Sequence, residues 1–276
     1  MNDNPLTKYY RQPAVYIKLP SEGKYWKPGS INLPPNGELP VLPMNGKDDL
    51  TMRNADGLMN GASTVSMIQS CVPSIVDAWS TPTIDLDKLL IAIRIASYGN
   101  TMSFETKCSE CNEILPYEVD LPTIMETIKM PDYTTPVLIG DLMIWFKPNN
   151  YKDMNDASQE NYIQQRTIKA LQSSTMSEEE KIEKFKEAVV ELTANTVAKL
   201  ANFIDYIITP DGAKVTDRTQ ISEFIENADQ KTFTAVKDAI GAIASNYSIP
   251  PVRIKCDKCH HEDTRTFQFE PSNFFV

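Results

Sequence analysis

Two Cys-x-x-Cys pairs constrain this chain more than any other feature. Cys108-Ser109-Glu110-Cys111 and Cys256-Asp257-Lys258-Cys259 stand at either side of residues 112–255. A two-residue spacer lets both thiolates of a tight knuckle face one metal ion, and two knuckles complete a tetrahedral four-cysteine site. The separation far exceeds the usual spacing of about 15–20 residues, so spacing alone does not carry the assignment. The flanks do. Alternating segments precede each pair (Met102 to Thr106, Val252 to Lys255) and follow it (Tyr117 to Leu121, Thr266 to Phe269). Val119 and Phe267 each fall eleven residues past the first cysteine of their pair. The two units therefore predict matching strand–knuckle–strand hairpins, which together build a small antiparallel zinc-ribbon-like module.

Structural Zn2+, one per chain, held by Cys108, Cys111, Cys256 and Cys259, is the first reading of that constellation. An iron site and metal-free cysteines are its alternatives. Disulfides are disfavoured, because the N-terminus shows no secretory pattern and cytosolic thiols stay reduced. A redox CxxC wants a helix N-terminus, whereas these pairs sit between strands. His260 is a weaker ligand candidate than four thiolates. Cys71 reads as a small buried hydrophobe, since a nucleophilic cysteine needs a base and no histidine is near it in sequence.

Composition narrows the function. His260 and His261 are the only histidines among 276 residues, which leaves little raw material for acid–base chemistry. There is no glycine-rich phosphate loop of either common type. With 27 basic against 37 acidic residues, the formal charge of −10 opposes general nucleic-acid binding. The hairpins are no exception. Glu105, Glu110, Glu113, Glu118 and Asp120 surround Lys107 in the first, while the charges of the second cancel. The longest apolar runs, residues 89–93 and 142–146, are far shorter than the roughly 18 of a spanning helix. The expectation is a non-enzymatic chain with no small-molecule substrate, no nucleic acid and no membrane.

The fold class expected is α+β: a mostly helical body, the β module and an extended N-terminal arm. Eight of 19 prolines fall within the first 43 residues, which predicts an extended arm with short strands over 1–46. Its tyrosines and Trp26 give it more apolar surface than a solvated linker carries. Residues 47–100 turn helical, with Leu86, Leu89, Leu90, Ile93 and Ala96 at helical spacing before Gly99. Arg94 interrupts that face, either snorkelling or meeting an acid. The first knuckle and its strands occupy 101–148. Residues 149–248 read as a helical insertion, with a capping box at Ser177 and Glu180 and an apolar stripe of Ile182, Phe185, Val189, Leu192, Val197, Leu200 and Ile204. Helices are expected near 219–228 and 230–245. The second knuckle and an aromatic C-terminus fill 249–276.

Several of these stretches together resemble a known family. VYIKLPSEGKYW, VLPMNGKDDLTMRNADGLMNG, a run ending IASYG, CSEC followed by YEVDL, and the closing CDKC and FQFEPSNFFV are similar to baseplate hub and hub-assembly proteins of T-even-type contractile-tailed phages. The resemblance implies a tail-baseplate protein assembled in the host cytoplasm, with other baseplate or tail proteins as partners and no catalytic residues. It leaves open a permanent hub component or an assembly factor absent from the virion. From a different class, a zinc-ribbon nucleic-acid-associated accessory protein is the alternative. Aromatics concentrate at interface centres, so Tyr9 and Tyr10 in the arm and Phe274 and Phe275 at the C-terminus are the expected partner-binding residues.

Overall fold

The computed structural model describes residues 4–173, 183–184, 195–245, 251–265 and 274–275. They form an α+β chain of short antiparallel sheets and helices in two units, residues 1–130 with 247–276, and residues 131–246. Ser177, Glu180, Ile182, Phe185, Val189, Leu192, Phe267 and Phe269 lie outside the described residues.

In the first unit, β1 (Val15–Lys18) pairs antiparallel with β2 (Glu38–Val41). Alternation buries Ile17, Leu39 and Val41. Four helices follow, α1 (Gly46–Met52), α2 (Ala55–Met59), α3 (Ala62–Cys71) and α4 (Thr83–Tyr98), and a fifth, α5 (Leu121–Thr127), comes later in the same unit. Asn45 and Asp48 close a reciprocal capping box on α1, which explains why the chain turns helical there. Gly57 lies so close to Ser63 that a side chain on it would collide with the Ser63 hydroxyl, which donates to the Thr51 carbonyl. The helix α4 packs on β1, β2 and α3 and buries Leu86, Leu89, Leu90 and Ile93. Gly99, at φ +96°, ends it. Arg94 meets an aromatic ring instead of an acid: its guanidinium carbon lies 4.2 Å from the Tyr98 ring centroid.

Most of the proline-rich segment belongs to this core. Arg11 donates from Nη1 to the Pro43 carbonyl (2.7 Å) and Asp48 Oδ2 (3.0 Å), and from Nη2 to the carbonyl and hydroxyl of Ser70 (both 2.8 Å). Farther on, Asp85 of α4 accepts from the Ser21 N–H (2.9 Å), the Ser21 hydroxyl (2.5 Å) and Trp26 Nε1–H (2.8 Å). All three residues are buried. This acceptor stabilises a turn in which Glu22 and Tyr25 take left-handed backbone angles. Of the N-terminal aromatics, Tyr9, Tyr10 and Tyr16 are left exposed, at 74%, 57% and 61%.

The second unit carries a sheet of order β5-β6-β7-β8, all antiparallel: Val137–Ile139, Leu142–Phe146, Ile204–Ile208 and Lys214–Val215. Its core joins Ile139, Ile144, Phe146, Ile204 and Ile207 to Ile221, Ile225 and Val236. The last three come from α8 (Arg218–Asn227) and α9 (Gln230–Ser245), which follow α6 (Tyr151–Ser173) and helical residues 195–203 (α7). Two sequence expectations are corrected here. Residues 149–248 are not helical throughout, because Ile204, the last member of the helical stripe, opens strand β7. Spacing cannot separate helix from strand in so short an apolar run, and pairing with β6 decides it. The unit also begins at 131 rather than 149, since Ile144 and Phe146 belong to the same hydrophobic cluster as Ile221, Ile225 and Val236 of α8 and α9.

Candidate metal centre

The first knuckle joins β3 (Thr101–Lys107) to β4 (Ile114–Asp120), and the second joins β9 (Val252–Lys255) to β10 (Glu262–Arg265). The second strand of the second hairpin thus begins at 262, before the alternating run expected at 266–269. The two turns are built alike. The Cys108 N–H donates to the Glu113 carbonyl and the Asn112 N–H to the Cys108 carbonyl; the Cys256 N–H donates to His261 and the His260 N–H to Cys256, all at 2.9–3.1 Å. Lys107 opposes Ile114 as Lys255 opposes Glu262. Four residues past each first cysteine, Asn112 and His260 adopt φ of 56° and 58°. His260 is therefore a turn residue.

All four sulfur atoms lie within 4.8 Å of one another. Cys108 Sγ is 3.6 Å from Cys259 Sγ, and Cys111 Sγ is 3.6 Å from Cys256 Sγ. Four ligands at about 2.3 Å from a tetrahedral zinc stand about 3.8 Å apart, so the cluster fits such an ion. The hairpins enclose it with a small core of Cys108, Leu115, Ile254 and Cys256, against which Phe104, Cys111 and Tyr117 pack. Each hairpin also reaches for the other: Tyr117 OH donates to the Arg253 carbonyl (3.1 Å) and Arg265 Nη2 to the Lys107 carbonyl (3.2 Å).

Backbone donors favour one thiolate. The N–H groups of Cys111 and Glu110 bring Cys108 down to about 6. At Cys259 the His261 N–H also pulls downward, but desolvation and the neighbouring thiols outweigh it, and the pKa is pushed up to about 12. A divalent cation would relieve that mutual repulsion, with proton release.

Left-handed backbone costs an L residue roughly 1–2 kcal/mol, and glycine relieves this at some cost in chain entropy. His260→Gly is therefore expected to raise the stability of the metal-loaded protein by about 0.5–1 kcal/mol, with metal content unchanged. Asn112→Gly should gain less, since asparagine tolerates this region. Thermal melts of both variants check the order.

The other expected site residues are distributed differently. Phe274 and Phe275 are each 2% exposed, with rings 5.1 Å apart at 84°, and Tyr98 OH donates to the Phe275 carbonyl at 3.1 Å. Their rings are covered by their own chain, which corrects the expectation that they face a partner. Cys71 is buried within the first unit, and its pKa is pushed up to about 12 by desolvation and then by Asp48. Asp85 and Arg11 carry no motif that sequence reading could single out.

A family model described as T4 bacteriophage base plate protein matches residues 47–276. The chain belongs to the T4 baseplate protein family. No curated protein and no solved structure matches it. The family match takes in both cysteine pairs and the whole second unit, while residues 1–46, including VYIKLPSEGKYW, lie outside it. Membership of the baseplate family makes this a structural protein of the phage tail baseplate, in contact with other baseplate or tail proteins. Among the described residues, no helix is long and apolar enough to cross a membrane.

Proposed function

We propose that this baseplate protein is a non-enzymatic subunit at or near the hub, and that one structural zinc ion holds its two cysteine hairpins together as a zinc-ribbon-like module. The observation that carries the metal reading is the convergence of four sulfurs from two like-built turns far apart in sequence. Four thiolates close a tetrahedral site and leave no open position for hydrolytic chemistry, so the ion's part is to hold structure. Elemental analysis of freshly purified, reduced protein should find about one zinc per chain. Iron in its place would identify the ion differently, and absence of both would remove the metal reading.

The hub placement rests on the resemblance of the sequence stretches above. Mass spectrometry of purified particles is expected to find the subunit there. Its absence from particles whose baseplates cannot form without it would instead identify an assembly factor.

The exposed tyrosines Tyr9 and Tyr10 are the partner-binding residues of this reading. Because Arg11 is anchored to Asp48, Pro43 and Ser70, the free part of the arm ends at residue 10. Deleting residues 1–10 should leave the melting temperature and zinc content nearly unchanged while blocking incorporation into baseplates. Complementation of a phage lacking the gene at normal titre would show that the arm does not dock.

A further inference from the structure

We propose that the metal centre is a latch: it fastens a C-terminal strap, residues 251–265 with Phe274 and Phe275, onto the first unit, and metal removal releases the strap while the rest of that unit stays folded. This inference rests on the metal reading above and adds what the metal controls.

Among the described residues, the contacts that hold the second hairpin to the first are few. The sheets β3-β4 and β9-β10 share no ladder hydrogen bond with each other. An isolated two-stranded hairpin is marginally stable at best in water. Among the described residues, what joins the hairpins is the four-sulfur cluster, the small core around Leu115 and Ile254, the two side-chain-to-carbonyl bonds, a Ser109–Asp263 side-chain hydrogen bond and the Lys258–Glu113 ion pair at 2.5 Å. That ion pair is solvent-exposed on both sides and contributes little. Two of the four buried members of the small core are themselves cysteines. Without a cation only weak sulfur–sulfur hydrogen bonds, Cys108 to Cys259 and Cys111 to Cys256 at 3.6 Å, link the thiols.

The rest of the first unit is independent of the cluster. Leu39, Met67, Ile68, Leu89 and Leu90 are buried among β2, α3 and α4, and Asp85 and Arg11 fasten the N-terminal segment to the same body. Downstream of the second knuckle, Phe274 and Phe275 are buried and Tyr98 holds the Phe275 carbonyl. Unlatching is then expected to uncover the Phe274 and Phe275 side chains and to free the Tyr98 hydroxyl at the end of α4. The ion controls whether that apolar surface is covered.

Hydrogen–deuterium exchange on the full-length zinc-loaded protein, with and without a strong chelator, tests the latch. Chelation is expected to speed exchange by about tenfold or more in peptides covering 101–120, 252–265 and the last turn of α4. Peptides from β1, β2, α3 and the first turns of α4 should keep their protection. Unchanged protection of 252–265 in protein shown to be metal-free would overturn the proposal. So would loss of protection throughout the first unit, which would make the metal a requirement for the whole body. A chain that binds no metal at all, before or after reconstitution, removes the underlying metal reading and the latch with it. Tyr98→Phe, which touches no cysteine, supplies a second arm: with full zinc it should speed exchange in the last turn of α4 and leave 252–265 protected. Equal protection of α4 in that variant would detach Phe274 and Phe275 from the proposal.

Discussion

Serine in place of Cys256 is expected to leave the full-length protein without its metal. Serine keeps the size of cysteine, but its hydroxyl stays protonated at neutral pH and is a poor substitute for a soft thiolate. Structural zinc sites hold apparent binding free energies of about 10–16 kcal/mol at pH 7, so losing one of four thiolates removes a large share of that figure. Cys108→Ser should behave the same way, because the two knuckles share their hydrogen bonds and left-handed residue. The matched control is Cys71→Ser. Cys71 is buried far from the cluster's small core, beside Arg11 and Asp48, so that variant should keep its full metal content. Full zinc in Cys108→Ser or Cys256→Ser, measured by elemental analysis, would mean that the two pairs do not share an ion.

The second large effect lies outside the cysteine cluster. Asp85→Ala is expected to cost about 3–5 kcal/mol of unfolding free energy, because it strands the Ser21 N–H, the Ser21 hydroxyl and the Trp26 N–H in a buried place. Denaturant titration should show a lower midpoint. A loss below about 1 kcal/mol would mean that the turn swings out and meets water instead. The same carboxyl gives a pH signature. Burial pushes Asp85 above its ordinary 3.8, against the opposing pulls of the Ser21 hydroxyl and N–H, Trp26 and Lys88. A carboxyl with a raised folded pKa binds its proton more tightly in the folded state than in the unfolded one. Its contribution is complete below about pH 3.8 and is lost as pH rises through the folded value. Asp85→Asn cannot titrate, so the stability of the wild type relative to this variant should fall as pH rises above about 4. A difference that grows with pH would reverse the sign and make hydrogen bonding, not desolvation, the dominant influence on Asp85.

Local signals alone determined a good deal of this protein. Cysteine spacing and alternating flanks are local properties, and they led to the hairpins that bring Cys108, Cys111, Cys256 and Cys259 together. The apolar spacing of residues 86–96 and the following Gly99 likewise marked α4, because helical period and a left-handed cap are written within a few turns of chain. Tertiary structure decided the rest. Strand β7 exists because Ile204 and Ile207 pair with β6 across residues 147–203, and no local window contains both partners. Phe274 and Phe275 read as partner-facing aromatics until the fold buries them and Tyr98, far away in sequence, donates to the Phe275 carbonyl. Asp85 carries no local signal of its role, because its donors, Ser21 and Trp26, lie about sixty residues earlier in the chain. The physical reason is common to all three. A local pattern states which side chains can be buried, but burial and hydrogen-bond satisfaction are settled by partners whose sequence distance the pattern does not encode.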